Sequence, residues 1–175
     1  MKTKSRQTSV RGTMKWMSVA LMALLLSTHA WASEPFLRGT EFVAIGGIDD
    51  LRKVDKRGFG ALRAHFAKTY WDLHPFAQVG MAQAGSVYGG VGMFYEFKLG
   101  PRTWLTLGTG PGVYRHKGND PDLGSAVEFA SWIEVTTIVF DRRIGLGFSH
   151  LSNAHLGSRN PGTETLGLVV HLRRW

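Results

Sequence analysis

The sequence predicts an all-β fold: eight antiparallel strands closed up-and-down into a transmembrane β-barrel. Three observations predict it. Short runs rich in Val, Ile, Phe, Tyr, Trp and Gly alternate apolar and polar residues with a period of two. No segment after the N-terminal leader reads as a long amphipathic helix. The connections between the runs alternate between long and short, as in barrels of this kind.

The leader comes first. It is basic at Lys2, Lys4, Arg6, Arg11 and Lys15, apolar over 16–26, and ends in the small-residue pattern Ala30-Trp31-Ala32. Those three regions mark a secretory signal peptide over 1–32, cut before Ser33. The apolar run is shorter than the ~20 residues that a spanning helix requires. The remainder, 33–175, is expected to be a single barrel domain with an enclosed interior.

The strands are expected at 40–48, 59–67, 71–82, 86–99, 104–114, 125–135, 142–151 and 164–174. In the fourth, Val87, Val91, Met93, Tyr95, Phe97 and Leu99 share one side, with Glu96 and Lys98 among small residues on the other. The sixth repeats this, with Val127, Phe129, Ile133 and Val135 opposing Glu128, Trp132 and Glu134. In the seventh, Ile144, Leu146 and Phe148 oppose Gly145, Gly147 and Ser149. The eighth aligns Leu166, Leu168, Val170 and Leu172. Between strands, 49–58, 115–124 and 152–163 are long and polar, whereas the links near Lys68, at Gly100-Pro101 and over 137–141 are shorter. The link near Gly85 breaks the pattern, being short at the end where long loops gather.

A membrane barrel turns its apolar rows outward and keeps the carboxylates and lysines in the lumen, where neighbouring strands pair them. A soluble sandwich or lipocalin reverses that sense, and alternation alone fits both. The export signal, the count of eight and the terminal aromatic Trp175, which resembles the closing residue of outer-membrane proteins, favour the membrane barrel. The parity of Trp175 is opposite to that of Val170 and Leu172, so the last strand bends or its phase slips near His171. Trp71, Trp104 and Trp132 are expected to contribute interfacial girdles.

Composition narrows the function. The formal charge of +8 falls to +3 once the five leader cations are removed, and no recognition helix, zinc finger or aromatic-interleaved basic run argues for nucleic acid. The basic cluster Arg52-Lys53-Val54-Asp55-Lys56-Arg57 suits an anionic membrane surface or, equally, a solvated loop. There is no cysteine, so hydrogen bonds and packing must hold the exported fold. Gly108-Thr-Gly110-Pro-Gly112 lacks the following helix and lysine of a phosphate loop; these glycines relieve crowding in a small barrel. His65, His74, His116 and His171 lack metal-ligand spacing and are expected in the interior or in loops. Neither a metal nor an organic cofactor is expected.

The chemistry concentrates at the C-terminal end. His150 and Ser152 lie in phase with Ile144, Leu146 and Phe148, and Glu164 lies in phase with Leu166 and Leu168. All three then point toward hydrocarbon. Residues i and i+2 of a strand are about 6.5–7 Å apart, close enough for inclined side chains to meet, and antiparallel closure sets Glu164 across from the pair. Imidazole can take the serine proton while a carboxylate fixes its tautomer, which is the arrangement that opens a carboxylic ester through an acyl-enzyme. As plain structure, Ser152-Asn153 starts a turn, His150 is an interfacial side chain and Glu164 ends a loop. Three polar groups on lipid-facing rows nevertheless each cost desolvation unless they bond to one another or lie at the interface.

His150-Leu-Ser152-Asn153-Ala154 followed by Asn160-Pro-Gly162-Thr-Glu164 resembles the signature of the PagL family, outer-membrane lipid A 3-O-deacylases. Phe94-Tyr95-Glu96-Phe97 and Leu123-Gly124-Ser125 extend the likeness. The resemblance implies an eight-stranded barrel in the outer membrane that hydrolyses the ester-linked 3-position acyl chain of lipid A in lipopolysaccharide. By the same resemblance Ser152 is the nucleophile, His150 the base and Glu164 its orienting acid, with Asn153 and Asn160 supporting the site or its oxyanion hole. Ordinary turn chemistry also accounts for both asparagines. The chain departs from the family pattern at His155, where glycine is expected. The rival readings are a non-catalytic small barrel serving adhesion or membrane integrity, and a soluble periplasmic lipid-binding barrel.

Overall fold

The computed structural model describes residues 39–52, 56–67 and 70–174. The expected leader and Trp175 lie outside the described residues. Eight strands form a closed, wholly antiparallel barrel in sequence order: β1 (Glu41–Asp49), β2 (Arg57–His65), β3 (His74–Ala82), β4 (Val87–Gly100), β5 (Thr103–Arg115), β6 (Val127–Val139), β7 (Arg142–Ser152) and β8 (Thr163–Arg174). β1 closes the ring against β8, from Val43 opposite His171 to Asp49 opposite Thr165. Closure removes every sheet edge, the condition a sheet must meet in hydrocarbon.

One end carries the tight links of β4 to β5 and β6 to β7. In the second, Phe140 and Asp141 both adopt positive φ, 46° and 59°, as a two-residue hairpin turn requires. The other end carries 50–52, 116–126 and 153–162, with 83–86 as the short exception among them. The eight-residue link between β2 and β3 departs from the expected strand: Tyr70–Asp72 is a 3-10 turn with Trp71 at φ 63°, so β3 begins at His74 rather than 71. The sixth strand runs on to Val139, because its pairing with β7 continues to Val139 opposite Arg142, and inward-facing Thr136 accepts a hydrogen bond from Arg143 Nε at 2.7 Å.

The outer wall is apolar. Val91, Leu99, Val135, Leu146 and Leu168 are each exposed, as lipid-facing residues of a barrel must be. The lumen is filled by the opposite row. Arg63 reaches Glu134 at 2.7 Å and lies over the Trp132 ring at 3.7 Å; Arg143 reaches Glu96 at 2.6 Å and lies over Trp104 at 4.7 Å. Trp104 and Trp132 are therefore buried interior residues and not girdle residues, since they share parity with the lumenal carboxylates. Trp71 alone of the three is exposed. Gly108 makes room for the indole of Trp132, which a Cβ there would overlap. Toward the long-loop end, Tyr88, Tyr114, Leu123 and Ala130 pack with Leu151. A register shift between Arg142 and Ile144, opposite Val170 and Arg174, places an irregularity in β8 beside His171.

Candidate active site

β7 and β8 position the predicted residues at the long-loop end. Their register sets His150 directly opposite Glu164, and on its other side His150 faces Ser131 of β6, while Ser152 faces Phe129. His150 follows the exposed residues Leu146 and Phe148 with the same parity, and Glu164 precedes exposed Leu166 and Leu168 in the same way. The set lies on the outer wall. The His150 side chain is 42 % exposed and that of Glu164 15 %.

His150 Nδ1 and Glu164 Oε1 are 3.2 Å apart, the imidazole N–H donating to the carboxylate. That bond leaves Nε2 as the nitrogen for a partner. Ser152, half-buried two residues along the same face, is the last residue of β7. Among the described residues no hydrogen bond joins its hydroxyl to the imidazole.

The second carboxylate oxygen has a partner that sequence reasoning missed. Arg52 Nε lies 2.6 Å from Glu164 Oε2, and a terminal guanidinium nitrogen donates to the Pro161 carbonyl at 2.6 Å. The basic cluster signalled a charge near the membrane but not its target, which only the β1–β8 closure brings near. On the lumenal side Asp49 accepts from the hydroxyls of Thr163 at 2.7 Å and Thr165 at 3.2 Å. Those threonines flank Glu164, so Asp49 fixes its strand from behind. Gly162 has φ +60°, and a Cβ there would lie 2.9 Å from His150 Cε1; only glycine satisfies both the backbone and the space.

Asn153 is fully buried. Its side-chain amide donates to the carbonyls of Leu123 at 2.9 Å and Arg159 at 2.8 Å, while its Oδ1 accepts from the His155 N–H at 2.9 Å. Asn160 Oδ1 accepts from the Asn153 N–H at 3.0 Å. Asn153 therefore ties 153–162 to 116–126, Asn160 braces it from within its own loop, and the Asn153 and His155 N–H groups are engaged there. His155 has φ +64°, which explains why glycine suits that position. Arg159 pairs with Asp122 across the same two loops. Asp122 accepts from the Gly124 N–H at 3.0 Å, and that bond, with the Arg159 cation, holds its carboxyl below the ordinary range.

A polar row continues round the wall from His150. Ser131 sits opposite it, and Ser131 Oγ lies 3.0 Å from Thr109 Oγ1 on β5. Ser131 interrupts the apolar row of Phe129 and Ile133 just as His150 interrupts its own, a signal present in the sequence and passed over.

A family model described as lipid A 3-O-deacylase (PagL) matches residues 52–173. The chain belongs to the PagL family. Membership makes it one of the lipid A 3-O-deacylases, ester hydrolases of the outer membrane. The crystal structure of the outer membrane enzyme PagL superposes with a TM-score of 0.58 at 21 % identity, covering 77 % of this chain and 99 % of that one. Neisserial surface protein A gives 0.55 at 12 % identity, covering 75 % and 94 %. Both likenesses establish the shared barrel. No curated protein matches the sequence.

Proposed function

We propose that this PagL-family barrel removes the 3-position hydroxyacyl chain of lipid A with Ser152 as nucleophile, His150 as general base and Glu164 as the acid that orients it. The observation that carries the reading is the His150–Glu164 hydrogen bond on the lipid-facing wall, with Ser152 on the same face and strand. Ser152 Oγ attacks the ester carbonyl as His150 Nε2 takes its proton. The tetrahedral intermediate collapses, the sugar 3-hydroxyl leaves with the proton from the imidazolium, and the chain stays on Ser152 as an ester. Water, deprotonated by His150, then releases the hydroxy fatty acid.

Glu164 keeps Nδ1 protonated and balances the imidazolium charge, and Arg52 prevents the carboxylate from turning away. The outward aim suits a substrate whose acyl chains lie beside the barrel, so no part of the lipid needs to enter the filled lumen. Incubating the purified protein in detergent with lipid A tests this. Mass spectrometry should show loss of one hydroxyacyl group, abolished in Ser152→Ala and His150→Ala and strongly reduced in Glu164→Ala; undiminished release by folded Ser152→Ala excludes the assignment.

A further inference from the structure

We propose that Glu41, His65 and His171 form a divalent metal site of the zinc type inside the barrel, at the short-turn end and away from the ester-hydrolysing wall. One ligand atom from each lies within 4.8 Å of the others. The three belong to adjacent strands: Glu41 opens β1 directly opposite His65, the last residue of β2, and His171 lies on β8 opposite Val43. Linear spacing gave no hint of this set, because barrel closure brings the first and last strands together.

The donors are arranged for a cation better than for one another. His65 and His171 are buried, and among the described residues His65 Nε2 and both nitrogens of His171 lack hydrogen-bond partners. His171 Nδ1 lies 3.0 Å from Glu41 Oε1, yet neither atom meets hydrogen-bond geometry. Buried polar atoms are ordinarily satisfied, so unpaired donors from three residues lying within 4.8 Å of one another mark a place that a cation would fill. Two imidazole nitrogens and a carboxylate oxygen, with water in a fourth position, are a donor set typical of Zn2+.

Bond lengths of about 2.0–2.2 Å place tetrahedral ligands about 3.3–3.6 Å apart. The Glu41–His171 separation is already close to that, and the remaining closure falls to side chains at the start of β1 and the end of β2.

The His65 ring lies 4.1 Å from Phe94 and parallel to Trp132 at 6.1 Å, which fixes its plane. The neighbouring guanidinium groups are already committed, Arg63 to Glu134 and Gln78, and Arg143 to Glu96. A metal here crosslinks β8, β1 and β2, the seam where the barrel closes, in a chain without cysteine.

The test uses protein folded in detergent, stripped with chelator and titrated with Co2+ by visible absorption and with Zn2+ by calorimetry. One equivalent should bind with a tetrahedral cobalt spectrum, and Zn2+ should raise the temperature at which the barrel loses its heat-modifiable mobility. Affinity should fall about tenfold or more in His65→Gln and His171→Gln, and remain unchanged in His150→Ala, which removes the outer-wall imidazole. Glu41→Ala, at a strand end, provides a variant that retains the interior packing. Absence of one-equivalent binding to the folded wild type overturns the proposal, as does wild-type affinity in folded Glu41→Ala or in either histidine variant.

Discussion

Arg52 and Glu164 meet at 2.6 Å on the carboxylate oxygen that His150 does not use, so the same side chain is held from two directions. The Arg52 side chain is 57 % exposed, which screens the charge pair, and its contribution to holding the acid is about 1 kcal/mol. Arg52→Ala should therefore lower kcat about five- to tenfold with little change in barrel stability. Steady-state kinetics and thermal melting in detergent measure the two separately. An unchanged kcat would show that Glu164 holds His150 unaided.

Gly162→Ala meets two obstacles, a left-handed backbone that costs a β-carbon about 1–2 kcal/mol and a Cβ pressed against the His150 ring. Activity should fall about tenfold or more while the strands stay paired. Circular dichroism in detergent alongside the ester assay distinguishes displacement of the imidazole from unfolding.

Asn153→Ala leaves the carbonyls of Leu123 and Arg159 without their donor, a loss of about 1–3 kcal/mol confined to the loops. Limited proteolysis should cut 116–126 and 153–162 faster, with barrel melting shifted much less. Asn160→Ala, which removes a single acceptor, should act in the same direction and less strongly.

His155 carries a β-carbon at φ +64°, so His155→Gly should stabilise the loop by up to about 1 kcal/mol. Slower proteolysis of 153–162 is the expected reading. Faster cleavage would indicate that the imidazole contributes contacts greater than the backbone strain.

The Asp122 clasp sets a direction with pH. Because its carboxyl is held below the ordinary range in the folded loop, the clasp is fully present above the usual carboxylate pKa and is lost as pH falls through the lowered folded value. Proteolytic nicking of the two loops should rise with acidity in the wild type, and Asp122→Asn should nick rapidly and nearly independently of that change.

Much of this was legible because a strand leaves a period-two record. Leu146, Phe148, His150 and Ser152 share one face by counting alone, and the outward face of the barrel follows from the same parity. Trp104 and Trp132 were misread as girdle residues because residue type was preferred over parity; their phase with Thr106 and Glu134 places them inside. Arg52 was visible as charge but not as a partner of Glu164, and His65 and His171 were visible as histidines but not as neighbours of Glu41. The Arg52–Glu164 and Glu41–His171 relationships depend on closure of β1 against β8, which no local pattern encodes. The start of β3 was misplaced because Trp71 suits a strand by propensity, whereas the chain turns there through positive φ.

The most direct test of an activated Ser152 on the outer wall is covalent capture. The folded protein is treated in detergent with a lipophilic serine-reactive phosphonate, and the modified residue is found by peptide mass mapping. The account predicts one adduct, on Ser152, with labelling slowed strongly by His150→Ala and absent in Ser152→Ala. A wild-type protein that hydrolyses lipid A but carries its adduct on another residue would contradict it.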